Sequence, residues 1–564
     1  MKKTIYTLVA LFAAFTIANA QTARLQVIHN SADPAAASVD IYLNDGATPL
    51  LDNFAFRKAS PFVDAPAGVP IKISVCAPTS TDSKDPIKTF TVTLAAGKKY
   101  VAVASGLVGT GFAANPDKIN TEFGLVISDV ALESSTAGNV SFAVMHGATD
   151  APTVDVEALG VGTLVNNAPF KGFTPYLTVP AAEYVINVKD SASKGNVASY
   201  KVDLSTLGGG AAVVFASGFL DPSKNKSGSA FGLFAALASG TVVPFGPSDK
   251  ALLQVIHNAP QLAATTVDLF VNGGSFAKGF KYRTATKFQL VPAGVVLNIA
   301  VSAPGKPAND SLAKFTATLG AGKTYLAIAS GIIGGTTAEN PNGINTAFTL
   351  LTKENVKYTA APGKTSLHVV HGSPDAPTVD VVARGVATIV DNAAYKAITD
   401  EIEVPSANYT LDIKDATGVS TVASFSAPLS GLAGKSAVVL ASGFFAPKAP
   451  ETNAFGLIAV LADGTVIVLP SAPTSIEGVA FNNFSIYPVP ASDLMYVNLN
   501  SEISSDANFQ MMDMSGRVIN SGKLNFTSGS NRLEFNVSNL EVGNYLLKIS
   551  SSKNVSNVKF AVSK

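Results

Sequence analysis

The chain is predicted to be all-β, a tandem series of antiparallel β-sandwiches with a further small β-sandwich at the C-terminus. Segments such as Arg24–His29 alternate with a period of two, and valine, isoleucine, threonine and phenylalanine dominate them. Glycine, proline, asparagine or aspartate separate these segments, and no window carries a sustained helical stripe. The pattern recurs along the chain, with about seven strands in each copy, which favours tandem immunoglobulin-like sandwiches.

Four of the five histidines open the same kind of apolar segment. They are His29, His146, His257 and His371, which lie 117, 111 and 114 residues apart. A fixed period of this length indicates one domain copied four times. We assign repeats 1 to 4 to residues 23–130, 140–245, 251–352 and 366–470, separated by polar, turn-rich linkers. Repeats 1 and 3 share one set of motifs and repeats 2 and 4 another, so we interpret the array as a two-domain unit duplicated once.

Residues 1–20 are predicted to be a signal peptide. Lys2 and Lys3 supply the basic head, Ile5–Ile17 the short apolar stretch, and cleavage is expected between Ala20 and Gln21. The apolar stretch is too short to cross a bilayer, and no later segment reaches that length without charges or turn residues. The mature chain is therefore expected outside the cytoplasm and without a transmembrane segment.

The last part of the chain, residues 484–564, differs in composition from the repeats and follows a linker assigned to residues 471–483. It contains Tyr-Pro-Val-Pro, an Asp-x-x-Gly-Arg turn and Leu-x-x-Gly-x-Tyr, in that order. The residues that define these motifs are Tyr487, Pro488, Pro490, Asp513, Gly516, Gly543 and Tyr545. Together they resemble the type A C-terminal sorting domain of the type IX secretion system of Bacteroidetes, although Val489 replaces the usual asparagine. The resemblance implies recognition by the type IX machinery and removal of the domain near the linker.

Composition narrows the possible partners. Forty basic and forty acidic residues cancel, and no basic tract follows the pattern of a phosphate-binding surface, so nucleic acid is not expected as a partner. The apolar fraction of 47% is sufficient for packed cores. Cys76 is the only cysteine, so no intrachain disulfide forms. Ser302 occupies the same place in repeat 3, which favours a packing role for Cys76.

The repeats also resemble a known family. Three features carry the likeness: the opening Val-x-His, a following Val-Asp, and an Ala-Ser-Gly that ends a late strand. These features are similar to those of the domain of unknown function family 4397, which is common in exported bacterial proteins. The resemblance implies a β-sandwich and a location outside the cytoplasm, and it implies no particular activity.

Each repeat contains the residue types of a serine hydrolase: a histidine, an aspartate about ten residues later, and the serine of Ala-Ser-Gly. The aspartates and serines are Asp40, Asp155, Asp268, Asp380, Ser105, Ser217, Ser330 and Ser442. The serines lack a Gly-x-Ser-x-Gly elbow, so we expect structural roles for all these positions. One histidine per repeat leaves zinc short of ligands, and in repeat 4 the additional His368 has an odd separation from His371 that points the two to opposite faces of a strand. No catalytic residue, metal or cofactor is assigned.

Long polar loops with an Asn-Pro pair occur only in repeats 1 and 3. Their candidate recognition residues are Asn115, Asp117, Asn120, Asn340, Asn342 and Asn345. Rigid sandwiches commonly present binding residues on such loops. We nevertheless expect an ordinary connecting role for these loops, with recognition as the alternative.

These features predict an exported, non-enzymatic repeat protein, secreted or attached to the outer membrane at the cell surface after Sec export. It would serve as an adhesive, ligand-binding or spacer array for an extracellular glycan or protein, and repetition would supply avidity. A secreted hydrolase acting on extracellular polymers is the alternative. A carbohydrate-binding module is a third possibility, which the absence of tryptophan disfavours.

Overall fold

The computed structural model describes residues 21–334, 340–473, 482–501, 505–514, 516–551 and 555–564. The predicted signal peptide, with Ala20 at its end, lies outside the described residues, as does most of the predicted linker 471–483. In the described part the regular elements are strands and four short 3₁₀ helices, so the all-β prediction is confirmed.

Repeat 1 has nine strands rather than about seven. They are β1 (Thr22–Asn30), β2 (Ser38–Leu43), β3 (Leu51–Ala55), β4 (Lys58–Ala59), β5 (Val63–Pro66), β6 (Pro70–Cys76), β7 (Lys88–Thr93), β8 (Lys99–Ser105) and β9 (Gly124–Ser128), with a 3₁₀ helix at Pro34–Ala36. One sheet has the order β4-β1-β8-β9, with β5 also on β1, and the other has the order β3-β2-β6-β7. Strands β1 and β8 are parallel, because the chain crosses to the second sheet and returns between them.

Repeat 2 has the same plan with an additional closing segment. Its strands are β10 (Asn139–His146), β11 (Val154–Ala158), β12 (Gly162–Ala168), β13 (Leu177–Pro180), β14 (Glu183–Asp190), β15 (Asn196–Asp203), β16 (Ala211–Ser217), β17 (Gly232–Leu237), β18 (Val242–Pro244) and β19 (Gly246–Pro247), with a 3₁₀ helix at Pro222–Lys224. The sheet orders are β13-β10-β16-β17-β18 and β12-β11-β14-β15-β19. Strands β18 and β19 follow each other in the chain and belong to different sheets.

Repeat 3 repeats the plan of repeat 1. Its strands are β20 (Lys250–His257), β21 (Thr266–Val271), β22 (Gly274–Lys281), β23 (Thr284–Ala285), β24 (Gln289–Pro292), β25 (Val296–Ser302), β26 (Ser311–Thr318), β27 (Thr324–Ser330) and β28 (Thr349–Glu354), with a 3₁₀ helix at Leu262–Ala264. The sheet orders are β23-β20-β27-β28, with β24 also on β20, and β22-β21-β25-β26.

Repeat 4 supplies two further sheets. Its strands are β29 (Lys364–His371), β30 (Val379–Ala383), β31 (Ala387–Ala393), β32 (Ile402–Pro405), β33 (Asn408–Asp415), β34 (Thr421–Pro428), β35 (Ser436–Ser442), β36 (Gly456–Leu461) and β37 (Val466–Leu469), with a 3₁₀ helix at Leu429–Gly431. The orders are β32-β29-β35-β36-β37 and β31-β30-β33-β34.

The C-terminal domain is a separate pair of sheets. Its strands are β38 (Asn482–Tyr487), β39 (Leu494–Ser501), β40 (Ser505–Asp513), β41 (Val518–Phe526), β42 (Gly529–Asn536), β43 (Gly543–Ser551) and β44 (Val555–Val562). The orders are β38-β39-β42 and β41-β40-β43-β44. Alternate residues of these strands, such as Met495, Val497, Leu547 and Ile549, form one buried core.

The chain divides into two compact units. The first unit contains the residues up to Thr378 with Asn392–Asn408 and Pro428–Leu469, and so holds repeats 1 to 3 and one sheet of repeat 4. The second contains Val379–Asp391, Tyr409–Ala427 and Pro470–Lys564, and so holds the other sheet of repeat 4 and the C-terminal domain.

In the first unit the histidine-bearing sheets are buried on both faces. On β1, Val27 and His29 point into the sandwich of repeat 1, whereas Ile28 points away from it. Ile28 packs with Met145 and Phe215 of repeat 2 in a core that the two repeats share. A sheet covered on both faces requires nearly continuous apolar strands, which explains sequences such as that of β16.

Repeats 3 and 4 share a core of the same kind. It contains Ile256 and Ile328 of repeat 3 together with Val370 and Leu440 of repeat 4. A smaller cluster, which includes Val185 and Leu252, joins repeat 2 to repeat 3. Complete burial of each such side chain stabilises the fold by about 1.5–3 kcal/mol. Repeats 1 and 2, and repeats 3 and 4, are therefore pairs with common hydrophobic interiors.

Candidate functional site

Each repeat histidine lies at the end of the first strand and is buried. The imidazole Nε2–H donates a hydrogen bond to a carbonyl of the following turn. The distances are 2.7 Å from His29 to Ala36 O and from His257 to Ala264 O, and 3.0 Å from His146 to Pro152 O and from His371 to Pro377 O. Each imidazole is thus held by a carbonyl of its own turn.

The second ring nitrogen also has a local role. In three repeats Nδ1 lies 3.4 Å from a backbone N–H two residues along the chain, that of Ser31, Ala148 or Ala259. These contacts select the neutral imidazole with its proton on Nε2. Burial lowers the pKa of His29 and of His257 to about 4, and it also lowers the pKa of His146 and His371. A buried neutral imidazole of this kind acts as a structural group.

An aromatic residue followed by a basic residue completes each histidine cluster. The pairs are Phe56-Arg57, Phe170-Lys171, Tyr282-Arg283 and Tyr395-Lys396. The aromatic ring meets the imidazole edge-on, with centroids 6.1–6.3 Å apart. The backbone N–H of the basic residue donates to the histidine carbonyl at 2.7–2.8 Å. The sequence analysis missed these pairs, although their nearly constant distance from each histidine is a signal that identifies them.

In the two even repeats the serine of the Ala-Ser-Gly motif accepts a hydrogen bond from an arginine of the odd repeat of the same pair. Arg57 of repeat 1 donates from Nε to Ser217 Oγ at 3.1 Å and from Nη2 to Ser217 O at 3.1 Å and Ala230 O at 2.6 Å. Arg283 of repeat 3 makes the same three contacts with repeat 4, to Ser442 Oγ at 3.0 Å, Ser442 O at 2.9 Å and Ala454 O at 2.9 Å. These serines fasten the repeats of each pair together.

The reciprocal contacts, from even repeats to odd repeats, are less complete. Lys171 donates to Glu122 O of repeat 1 at 2.7 Å. Tyr395 OH lies 3.1 Å from Ser330 Oγ of repeat 3, and burial raises the pKa of Tyr395 to about 12. Repeat 2 has Phe170 at the position of that tyrosine, and Ser105 Oγ is buried without a hydrogen-bond partner among the described residues.

The residue after each histidine distinguishes the two members of a pair. Repeats 1 and 3 have Asn30 and Asn258, and repeats 2 and 4 have Gly147 and Gly372. Asn30 Nδ2 donates to Ala216 O at 3.0 Å. A Cβ atom at Gly147 would lie 2.0 Å from Asn30 Nδ2, and one at Gly372 would lie 2.1 Å from Asn258 Nδ2. The asparagine of an odd repeat therefore requires the glycine of an even repeat.

The repeat aspartates hold turns in their own sheets. Asp40 accepts from Asn53 N at 2.8 Å, Asp155 from Asn167 N at 2.8 Å and Asp268 from Gly279 N at 2.7 Å. The three donors have positive φ, at 51°, 54° and 56°, so the carboxylates stabilise left-handed bulge residues. Asp380 lies on the corresponding strand, β30, in the second unit.

In the described part of the chain, the histidine, aspartate and serine of a repeat therefore do not form the hydrogen-bonded triad of a serine hydrolase. The imidazoles donate to turn carbonyls, Ser217 and Ser442 accept from arginines, and Asp40, Asp155 and Asp268 accept from backbone amides. Cys76 is buried opposite Asp40, and burial raises the pKa of its thiol. Among the described residues no three His, Cys, Asp or Glu side chains are close enough to hold a metal ion.

The candidate recognition loops contact the even repeat of their own pair. Asn115 Nδ2 donates to Thr149 O at 2.9 Å and Ala151 O at 3.0 Å, and Asn340 does the same to Pro374 O at 2.9 Å and Ala376 O at 3.1 Å. Both asparagines are buried. These contacts give both residues a structural role, and a recognition role for them stays a prediction.

Two of the other loop candidates also contact the even repeat, and two stay within their own loop. Asp117 accepts from the backbone N–H and the hydroxyl of Thr153, and Asn342 accepts from Thr378 in the same way. Asn120 and Asn345 accept from the backbone two residues further on, at Glu122 and Ala347. The loops connect the two repeats of each pair.

The motif residues of the C-terminal domain occupy its turns and one edge. Tyr487 is half-exposed beside Tyr496, with Arg532 over both rings. Pro488 and Pro490 follow in the turn after β38, and Gly543 begins β43. Asp513 accepts from Arg517 N at 3.1 Å and from its Nε at 3.0 Å, around Gly516 with φ 88°. Tyr545 OH donates to Glu541 O at 2.8 Å, and its ring stacks on Phe560.

Comparison with protein families assigns both parts of the chain. The domain of unknown function DUF4397 matches residues 23–157, 140–227, 251–382 and 365–455, so the chain belongs to this family, with four copies. A secretion system C-terminal sorting domain matches residues 485–563. Both predicted resemblances are confirmed. The protein is a secreted protein of the Bacteroidetes type, directed by a type IX sorting domain to the cell surface or the extracellular space.

No curated protein matches the chain. Solved structures that are similar over part of their length include the pneumococcal glycogen-degrading virulence factor SpuA, at 7% identity over 54% of this chain and 37% of that one, with a TM-score of 0.13. Dimeric latent PorU from Porphyromonas gingivalis has 10% identity, coverages of 88% and 43%, and a TM-score of 0.13. The chain spans roughly two fifths of the length of these proteins. No helix in the described ranges is long and apolar enough to cross a membrane.

Proposed function

We propose that this protein is a non-enzymatic scaffold of the cell surface or the extracellular medium, a stiff array that spaces or presents ligand-contacting surfaces. The observation that carries the proposal is the sharing of hydrophobic cores between repeats. Phe215 and Met145 of repeat 2 and Ile28 of repeat 1 are fully buried against one another. Motion between two repeats would expose this apolar surface to water, so the pair moves as one body.

The polar groups of the repeats support the same proposal. Each repeat histidine is neutral and hydrogen-bonded to its own turn, and the arginine–serine contacts join neighbouring repeats. Nucleophilic catalysis requires a serine that an imidazole can deprotonate and that a substrate can reach. Ser105, Ser217, Ser330 and Ser442 are fully buried, which favours a scaffold over the alternative hydrolase.

The two functions respond differently to one set of variants. Alanine at Ser105, Ser217, Ser330 and Ser442 together should leave binding of the mature chain to an extracellular glycan or matrix-protein array within twofold, once circular dichroism confirms folding. A hydrolase would cleave a panel of ester, peptide and glycosidic substrates and would lose that activity in the same variant. Serine-dependent turnover by the wild-type chain would overturn the proposal.

Export is tested separately. The proposed route is Sec export through the signal peptide followed by type IX secretion, and the motif residues of the C-terminal domain support the second step. Deletion of residues 484–564 should leave the four repeats in the periplasm, where fractionation and immunoblotting would detect them. Unchanged delivery of the truncated chain to the surface would contradict the proposed route.

A further inference from the structure

Repeat 2 closes one side of its sandwich with its own chain. The segment Val242–Pro247 pairs first with β17, where Ala235 faces Val243, and then with β15, where Lys201 faces Gly246. Between these contacts Phe245 donates from its backbone N–H to Leu233 O at 2.9 Å. Its ring packs against the core of the repeat. A six-residue segment with an aromatic side chain at its centre thus joins the edges of the two sheets.

Repeat 3 lacks this segment. Strands β26 and β28 correspond to β15 and β17, and among the described residues neither has a second strand neighbour. The chain after β28 is used elsewhere: Val356 enters the core shared with repeat 4, and Tyr358 donates to Glu157 Oε1 of repeat 2 at 2.7 Å. The side of repeat 3 that Val242–Pro247 closes in repeat 2 is therefore left open.

A cavity of about 470 Å³ lies at this open side. Phe315, Ala317, Tyr325 and Leu350 line it, with Glu354 among its polar residues. This volume falls in the range of ligand pockets. An unpaired strand edge beside an apolar cavity provides both backbone hydrogen-bonding groups and a place for a side chain, which are the two requirements of strand addition.

One residue of β26 is smaller than its counterparts in repeats 1 and 2, and this leaves more space at the open side of repeat 3. Ala317 pairs with Leu297, and the residues in the corresponding register are Val92 in repeat 1 and Val202 in repeat 2. The smaller alanine leaves room beside Phe315.

We propose that repeat 3 binds an extended segment of a partner protein between β26 and β28, in the way that Val242–Pro247 occupies the same side of repeat 2. The partner segment has apolar residues and prolines around a central aromatic side chain, which enters the cavity beside Ala317. This inference deepens the proposed scaffold function, on which it rests, by naming the class of ligand. Failure of peptide binding would leave the tests of export and of serine dependence unaffected, so the two can fail separately.

The experiment uses the mature chain, residues 21–564, and a fluorescent peptide with the sequence of residues 241–248, Thr-Val-Val-Pro-Phe-Gly-Pro-Ser. Fluorescence anisotropy should show saturable binding. Ala317→Trp fills the cavity and should weaken binding at least tenfold, whereas Lys314→Trp, on the exposed face of the same strand, should change it less than twofold. Ala317→Val, which introduces the residue of repeats 1 and 2, should give an intermediate loss and protects the test against a misfolded tryptophan variant. A peptide with serine in place of phenylalanine should bind at least tenfold more weakly.

Hydrogen exchange locates the bound peptide. Slower exchange in β26 and β28 would support the proposal. Absence of saturable binding, equal binding by Ala317→Trp, or protection of β15 and β17 in place of β26 and β28 would overturn it. Sedimentation without peptide provides a further check, since self-association that Ala317→Trp abolishes would mean that a second copy of this chain, and not a partner protein, occupies the edge.

Discussion

Odd and even repeats of this protein share a strand plan but use it for different purposes. Repeats 1 and 3 have an asparagine after the histidine and a long loop that reaches the next repeat. Repeats 2 and 4 have a glycine at that position, and repeat 2 folds its last segment back onto its own sheets. Copies of one domain have thus diverged into two complementary types, so that a pair of unlike repeats is the basic unit of the array.

The shared hydrophobic core should contribute more to the stability of a pair of repeats than any other feature tested below. Phe215→Ala removes a fully buried ring from the core that repeats 1 and 2 share, and we expect the free energy of unfolding of that pair to fall by about 3–5 kcal/mol. The matched control is Val161→Ala in the same repeat, an exposed position where the change should stay within about 0.5 kcal/mol. Urea denaturation followed by circular dichroism measures both. Similar values for the two variants would contradict a shared core.

Acid should weaken the odd repeats through their histidines. The folded pKa of His29 and of His257 is about 4, below the value of about 6.5 in an unfolded chain. Above pH 6.5 both states are neutral and the full stability is present. As the pH falls from 6.5 toward 4, the unfolded chain binds protons that the folded imidazoles do not, and stability decreases by up to about 3 kcal/mol per histidine.

Denaturation at pH 7 and pH 4.5 tests this, and His29→Gln should flatten the dependence. Burial also lowers the pKa of His146 in repeat 2, and the hydrogen bond to the Pro152 carbonyl and the charges of Asp117 and Asp150 oppose that effect. Equal stability at pH 7 and pH 4.5 would contradict buried neutral imidazoles in the repeats.

A larger residue in place of the glycine that packs against Asn30 should destabilise the pair of repeats. Gly147→Ala places a Cβ 2.0 Å from Asn30 Nδ2 and 2.7 Å from Ala216 O, and we expect a loss of about 2–3 kcal/mol in unfolding free energy. Gly246→Ala is the matched control because nothing lies within 4 Å of its added Cβ. Partial recovery in the double variant Asn30→Gly with Gly147→Ala would assign the loss to this contact. A loss that Asn30→Gly does not reduce would contradict the pairing rule.

The smallest expected effect is an increase in stability, caused by a hydroxyl added to repeat 2. Phe170→Tyr gives repeat 2 the hydroxyl that Tyr395 has in repeat 4, and it supplies a partner for Ser105 Oγ. One satisfied buried hydrogen bond should raise the unfolding free energy by about 0.5–1.5 kcal/mol. Tyr395→Phe should cause a loss of similar size in the other pair. Thermal denaturation of both variants measures this, and a loss in Phe170→Tyr would show that the two positions are not equivalent.

The sequence predicted the repetition, the all-β class and the sorting domain because these depend on local patterns. Alternation along Arg24–His29 and the fixed histidine spacing are both visible in one dimension. It also predicted a structural histidine, since an imidazole among apolar residues needs an internal partner. The partner itself was open, because either the nearby aspartate or a turn group has suitable chemistry.

What could not be predicted depends on contacts between repeats. The position of Arg57 beside Ser217 follows from the packing of two sheets far apart in the sequence. For the same reason the burial of the Asn115 side chain against repeat 2 could not be read from its polar loop. The aromatic–basic pairs were missed because each looks like an ordinary turn until the four copies are aligned on their histidines.

The claim that a pair of repeats is one cooperative body is tested most directly by native-state hydrogen exchange on Ile28→Ala. This variant alters only the repeat 1 side of the shared core. The account predicts that the opening free energies of amides in β10 and β16 of repeat 2 fall by the same amount as those in β1 and β8 of repeat 1. A decrease confined to repeat 1, with repeat 2 unchanged, would contradict it.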